Sequence, residues 1–299
     1  APGAPIRILS MPCSSGEEPY SIALTVLEGW ADVDRFDVHI FGTDIDYNHP
    51  RLSRRQYLSI CRRNGGKSLV GDRSTWYLYS KRAAAEIHDF NPDARIIAML
   101  RNPVEMIRSL HRHQFQRGRR DDIERLEDAL DAEPDRRLGR RLPDNVRFPG
   151  SLLYSEIARY SEQLPRYFER FGRDRVHVIL FDDLKADPKT TYAQALEFLG
   201  VDSGFVPDFR VHNAGAPMPD WAPYRIWKAS TLRYRFRSIV PERLYSAIRE
   251  RRRKQLADAK DRQPPPPMDV GLRDRLRTRL GAEIEQLEAL IDRNLEAWR

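Results

Sequence analysis

Short, continuous apolar runs recur along the chain and predict the strands of a sheet. Such runs lie in residues 6–10 (IRILS), 95–103 (RIIAMLRNP) and 176–181 (VHVILF). Apolar runs of roughly four to eight residues, bounded by turn-forming or charged residues, are typical of buried strands. Two further segments, 37–46 (DVHIFGTDID) and 68–80 (SLVGDRSTWYLYS), each predict one more strand, and the second of these strands leads into a loop.

Segments with helical spacing of apolar residues separate these strands. The predicted helices are 21–30, 51–66, 81–90, 104–117, 151–172, 190–201 and 272–298. The charge-rich stretch 119–145 predicts a surface helix and a loop. Because strands alternate with helices and the strands are continuously apolar, we expect a three-layer α/β fold, in which a central parallel sheet carries helices on both faces.

Composition narrows the classes of function. The length of 299 residues suits one large or two modest domains, and we expect a single domain spanning 1–299. The net charge of +7 favours an anionic partner such as a nucleotide. No pattern in the sequence indicates nucleic-acid binding. The two cysteines, Cys13 and Cys61, have neither metal-ligand spacing nor a disulfide pattern, so we expect no metal site and a cytoplasmic location. The apolar runs are too short to cross a bilayer.

The clearest candidate chemistry lies in the stretch 99–109 (MLRNPVEMIRS). Arg101 follows a buried strand and should lie at the carboxyl edge of the sheet, where α/β folds bind their ligands. Ser109 comes eight residues later, about two turns along the next helix. A guanidinium and a hydroxyl at these positions can bind one phosphate group together. An Arg paired with acidic neighbours and an exposed Ser would give the same spacing.

The same stretch resembles the 3′-phosphate-binding motif of sulfotransferases that use 3′-phosphoadenosine 5′-phosphosulfate (PAPS). The likeness continues through KSLVGDRSTWYLYSKRAAAEIHDFNPDARIIAMLRNP, through VHVILFDDLKADPKTTYAQALEFLGV, and into the closing helix, and covers residues 54–299. It implies the P-loop-like sulfotransferase fold, PAPS as co-substrate, and transfer of a sulfuryl group to a hydroxyl or amine of an acceptor that the sequence does not identify.

The resemblance also implies residue roles. Arg101 and Ser109 would bind the nucleotide 3′-phosphate, and Tyr154 would lie near the nucleotide and the acceptor. Arg73 stands where many relatives have a Lys, and it is a candidate to neutralise the transferred sulfuryl group. The loop that would border the acceptor consists of Ser74, Thr75 and Trp76.

Residues 6–47 depart from this family. PCSSGEEPYS (12–21) stands where a sulfotransferase needs a Lys- or Arg-containing loop for the 5′-phosphosulfate, and its two glutamates would repel that group. The segment instead resembles the start of the S-adenosylmethionine (SAM) domain of chemotaxis-receptor methyltransferases. That resemblance implies that Gly16 and Glu17 line a SAM site, and that Asp44 binds the ribose hydroxyls.

Three interpretations of this loop follow from the sequence. It is a structural turn, a working SAM site, or an altered PAPS loop that uses backbone N–H groups. The leading function is a PAPS-dependent sulfotransferase. The alternatives are a SAM-dependent methyltransferase and a non-catalytic nucleotide-binding protein that has lost the loop for the 5′-phosphosulfate.

Overall fold

The structure of the protein is a computed structural model. The described residues are 6–10, 38–42, 69–74, 76–118, 121–144, 146, 148–201 and 268–299. In 6–10, 38–42, 69–74 and 116–118 the description is confined to the backbone.

Five parallel strands, counted within the described residues, form the sheet that the apolar runs predict. The strands are β1 (Ile6–Ser10), β2 (Val38–Gly42), β3 (Leu69–Ser74), β4 (Ile96–Leu100) and β5 (Val176–Leu180). Their order across the sheet is β2-β3-β1-β4-β5, and every pairing is parallel. The prediction of a parallel α/β sheet is therefore confirmed.

Helices follow these strands along the chain. In the described residues they are α1 (Ala83–Phe90), α2 (Pro103–Arg112), α3 (Leu126–Asp131), α4 (Glu133–Arg137), α5 (Tyr154–Ile157), α6 (Tyr160–Gln163), α7 (Pro165–Phe171), α8 (Phe181–Ala186), α9 (Pro188–Leu199) and α10 (Val270–Ile291). The helix α2 continues into a wider turn over His113–Gly118. The predicted closing helix is confirmed as α10, whose buried leucines and isoleucine recur mostly at four-residue spacing.

The side chains of β4 show how the layers form. All five residues of this strand are buried, and successive side chains point to opposite faces of the sheet. Ile96, Ala98 and Leu100 join the larger apolar core, which includes residues of α2 and α10. Ile97 and Met99 join a second core with residues of β5 and α8. Both faces of the sheet are therefore covered.

The predicted long helix over 151–172 is wrong, because three short helices replace it. The break before α7 follows from Pro165, which has no N–H to give to a preceding turn and therefore suits the first position of a new helix. The break before α6 lies at Arg159, whose φ of −86° and ψ of 72° are outside the helical region. Apolar spacing continues across both breaks, so that spacing does not reveal them, although Pro165 is a sequence signal for the break before α7.

The prediction of a surface segment over 119–145 is also wrong in part. This stretch contains three buried charged residues, Asp121, Glu133 and Arg136. They pair within the protein, and charge alone could not distinguish a buried ion pair from a solvated helix. The segment is therefore part of the core beside α2.

The strand order marks the end of the sheet at which α/β folds form a ligand-binding crevice. The chain leaves β1 towards β2 on one side, whereas it leaves β4 towards β5 on the other side. Ligands of open α/β sheets bind outside the carboxyl ends of the strands at such a reversal. Here the reversal lies between the ends of β1 and β4, at Ser10 and Leu100.

Candidate anion site at the carboxyl edge of the sheet

Arg101 lies at this crevice, directly after the last residue of β4. Its guanidinium carbon is 5.3 Å from the ring centroid of Phe181, the first residue of α8. A cation over an aromatic face is attracted by the ring, so Phe181 helps to orient the side chain. The expected position of Arg101 at the sheet edge is confirmed.

Asn102 and Pro103 determine how α2 leaves the sheet. The side-chain oxygen of Asn102 accepts hydrogen bonds from the backbone N–H groups of Val104 (3.0 Å) and Glu105 (3.4 Å), which caps the helix. Pro103 occupies the first turn, where its missing N–H costs nothing. The amide nitrogen of Asn102 donates to the carbonyl of Trp298 at 3.4 Å, so the closing segment packs against this turn.

Ser109 lies inside the protein with an unused hydroxyl. The residue is 6% exposed, and its Oγ has no hydrogen-bond partner among the described residues. A buried polar group without a partner costs about 1–3 kcal/mol. Arg101 and Ser109 are therefore not hydrogen-bonded to each other, and the hydroxyl retains its capacity to bind a further group.

The carboxylate of Glu105, in the first turn of α2, lies close to three guanidinium groups. Its carboxylate lies 2.9 Å from Arg273 Nη2, 3.7 Å from Arg108 Nη1 and 4.0 Å from Arg101 Nη2. Burial lowers the pKa of Arg108, and the negative charge of Glu105 opposes that shift. The positive charges of Arg112, Arg273 and Arg101 lower the same pKa further. The cluster is thus a concentration of positive charge around a single carboxylate.

Tyr154 belongs to a buried polar network. Its hydroxyl donates to the carboxylate of Asp121, which also accepts two hydrogen bonds from Arg136 at 2.6 and 3.0 Å. The ring of His111, from α2, stands edge-on to the Tyr154 ring with centroids 5.6 Å apart. Burial raises the pKa of Tyr154. The structure thus gives Tyr154 a packing role beside α2, and its expected role near the nucleotide stays a prediction.

Sequence reasoning missed two members of this network, Asp121 and Arg136. Both lie in a stretch where charged residues are common, so neither stood out. Burial alone would raise the pKa of Asp121, but the hydrogen bonds from Arg136, Tyr154 and a backbone N–H hold it below its usual value. The carboxylate is therefore kept charged inside the protein.

The residues expected to border the acceptor lie at or just beyond the end of β3. Arg73 pairs in register with Leu9 of β1 and Gly42 of β2, and Ser74 pairs with Ser10. The backbone of both residues is therefore at the same edge of the sheet as Arg101.

Trp76 follows two residues beyond the end of β3. Its half-buried ring packs edge-on against Phe148 at 5.1 Å between centroids. Thr75 lies outside the described residues.

The residues of the SAM interpretation, Gly16, Glu17 and Asp44, also lie outside the described residues. The strands that lead to them are described, and β3 lies between β1 and β2. In dinucleotide-binding folds the first two strands are neighbours, so an acid after the second strand reaches a ribose bound at the first. With β3 inserted, the ends of β1 and β2 are two strand spacings apart, about 9–10 Å.

Two further expectations concern metals and membranes. The described part of the chain contains no cluster of three or more His, Cys, Asp or Glu side chains suited to a metal ion. None of the helices in that part is both long and apolar enough to span a membrane.

Comparisons with known proteins divide the chain into two regions. A family model described as "CheR methyltransferase, SAM binding domain" matches residues 1–57, and one described as "Sulfotransferase family" matches residues 42–205. The chain is 41% identical over 88 residues to chemotaxis protein methyltransferase 2 of Vibrio cholerae, a match covering 24% of this chain and 30% of that protein. It is 52% identical over 44 residues to a probable chemotaxis protein methyltransferase of Rhizobium etli, covering 15% and 16%. The chain thus spans less than a third of the length of these two relatives.

The similarity in fold extends much further. The solved structure of a sulfotransferase from Alicyclobacillus acidocaldarius matches with a TM-score of 0.66 and 22% identity, covering 100% of this chain and 99% of that one. At this identity the match supports the α/β sulfotransferase fold. The sulfotransferase model covers more than half of the 299 residues, and it includes β3, β4, α2 and the sheet edge that carries Arg101. The chain therefore belongs to the sulfotransferase family.

Proposed function

We propose that this protein transfers a sulfuryl group from PAPS to a hydroxyl or amine. The observation that carries the proposal is that the helix after the sheet-edge Arg101 holds a buried hydroxyl, Ser109 Oγ, with no hydrogen-bond partner among the described residues. Arg101 and Ser109 are assigned to the 3′-phosphate of the donor. A phosphate oxygen would accept the hydrogen bond that Ser109 Oγ makes with no described residue.

The transfer needs positioning and positive charge more than it needs covalent chemistry from the protein. The bond between sulfur and the bridging oxygen of the donor breaks, and a bond from sulfur to the acceptor oxygen or nitrogen forms. The acceptor loses a proton, and adenosine 3′,5′-bisphosphate leaves. By analogy with phosphoryl transfer, cationic groups stabilise the charge on the equatorial oxygens, and Arg73 is assigned to this role at the end of β3.

The acceptor side is assigned to the segment that follows β3. Ser74, Thr75 and Trp76 border the acceptor in this proposal, and the edge-on contact between Trp76 and Phe148 gives that side an aromatic wall. Tyr154 is retained as a residue near the nucleotide, since its ring packs against His111 on the same helix as Ser109.

We further propose that residues 1–299 form one domain. The strands β1 and β2 come from the methyltransferase-like segment 6–47, and both pair with β3, which lies in the sulfotransferase region.

The sheet order argues against a SAM site built as in a methyltransferase, because β3 separates the ends of β1 and β2. A non-catalytic nucleotide-binding protein would keep the Arg101 site and transfer nothing.

Titration calorimetry with adenosine 3′,5′-bisphosphate tests the proposal. Arg101→Ala should weaken binding at least about tenfold, because it removes a charge-assisted hydrogen bond. Arg125→Ala is the control, since Arg125 is an exposed residue paired with Glu127. Unchanged affinity in Arg101→Ala would contradict the proposal. Stabilisation by S-adenosylhomocysteine that is lost in Asp44→Ala would favour the methyltransferase instead.

A further inference from the structure

Glu105 holds together residues from two distant parts of the chain. It lies in the first turn of α2, four residues after Arg101, and its Oε1 accepts a hydrogen bond from Arg273 Nη2, 168 residues away at the start of α10. Arg101 and Arg273 carry two positive charges, whereas the carboxylate that they share carries one negative charge. An anion that entered the cluster would therefore meet favourable charge.

The position of Arg273 is fixed by the helix that carries it. Asp269 caps α10 through a hydrogen bond from Leu272 N at 2.9 Å, and Leu272 itself is buried against the core. The side chain of Arg273 is 37% exposed and turns towards α2, whereas that of Arg275 is 65% exposed and bonds Glu127. Two arginines on one helix turn thus differ in what they face.

We propose that Glu105 is an internal counter-ion that the donor's 3′-phosphate replaces as the partner of Arg101 and Arg273. This inference rests on the proposed function. In the nucleotide-free protein the carboxylate neutralises part of the cluster and orients the two guanidinium groups. When the donor binds, its phosphate dianion accepts hydrogen bonds from both, and α10 becomes part of the donor site. Glu105 is a positioning residue in this scheme and takes no part in the transfer.

If the phosphate displaces Glu105, substitutions of Glu105 and of Arg273 should change the affinity for the bisphosphate in opposite directions. Glu105→Gln removes a negative charge that repels the phosphate, so affinity for adenosine 3′,5′-bisphosphate should rise about three- to tenfold. The same variant should melt at a lower temperature without nucleotide, because Arg101 and Arg273 lose the carboxylate that they share. Arg273→Ala should weaken binding about tenfold. A purely structural role for Glu105 would lower stability and affinity together.

The chain offers a matched control for each variant. Glu127 is as exposed as Glu105, 27% against 30%, and is likewise shared between an arginine of its own region and one of α10. Glu127→Gln and Arg275→Ala should leave affinity for the bisphosphate within about twofold of wild type.

Two results would overturn the inference. One is an affinity of Glu105→Gln equal to or below that of Glu127→Gln, and the other is an Arg273→Ala variant that binds as well as Arg275→Ala. If Arg101→Ala weakens binding while Arg273→Ala does not, the inference alone fails. If Arg101→Ala also binds normally, the proposed function fails with it.

Discussion

At the scale of single residues, Ser109 gives the sharpest prediction. Its hydroxyl is buried and makes no hydrogen bond to any described residue, so Ser109→Ala should leave the melting temperature unchanged or raise it. The same variant should weaken adenosine 3′,5′-bisphosphate about tenfold, because a hydrogen bond to a charged group is lost.

Calorimetry and thermal melting of one preparation measure both effects. Ser151→Ala is the control, since that hydroxyl already donates to the carbonyl of Phe148 at 2.6 Å. A Ser109→Ala variant that loses stability and keeps its affinity would show that the hydroxyl serves the fold.

The residues of the site were predictable where chain position determines them. Arg101 was expected at the sheet edge because a continuous apolar run ends one residue before it, and the structure confirms this position. Glu105 and Arg273 were not foreseen as partners, because 168 residues separate them and only tertiary packing joins them. Sequence spacing can show what one element presents, whereas it cannot show which distant side chain will face it.

At the scale of elements, the Asp121–Arg136 pair fixes the segment before α5 in the core. Both side chains are fully buried, and Tyr154 of α5 shares the carboxylate. Asp121→Asn leaves the buried charge of Arg136 without its main counter-ion, and the largely exposed Asp122, 3.9 Å away, replaces it poorly. The free energy of unfolding should therefore fall by about 3–5 kcal/mol. Chemical denaturation checks this value.

The same pair predicts a dependence on pH. The pKa of Asp121 is lower in the folded protein than in the unfolded chain, where it is about 3.9. The stabilisation is therefore complete above that value and is lost as pH falls through the folded-state pKa.

Asp135→Asn is the control for Asp121→Asn, because it breaks the exposed pair with Arg140 and should lower the free energy of unfolding by at most about 1 kcal/mol. Equal losses in the two variants would contradict the assigned role of the buried pair.

Elements were predicted well where one local signal decides them. The strand β4 was predicted from a continuous apolar run, and α2 from the helical spacing of the apolar residues that follow it. The three helices between 154 and 171 were missed, because the prediction followed the helical spacing of apolar residues past Pro165, which marks one break, and past Arg159, where only the backbone dihedral angles mark the other. The burial of Asp121 was missed because a charge does not reveal whether its partner lies in solvent or in the core.

At the scale of the whole molecule, the methyltransferase-like segment supplies a central strand. β1 pairs with β3 on one side and with β4 on the other. A chain that lacks residues 1–47 would leave β3 and β4 without their shared neighbour, so it should fail to fold cooperatively. Circular dichroism during thermal unfolding checks this. A cooperative transition in the shortened chain would show that the segment is dispensable.

The insertion of β3 between β1 and β2 has a consequence for how the chain is built. Moving β2 outward by one strand spacing adds about 4.8 Å to the path that links it to β1, roughly the reach of one or two extended residues. The linking stretch, residues 11–37, is long enough to absorb that difference without altered local sequence. A segment that supplies two strands can therefore keep its amino-acid pattern while it exchanges one set of sheet neighbours for another. Sequence similarity over such a segment indicates how the segment folds locally. The strands that lie beside it decide which side chains come together at the ends of its strands.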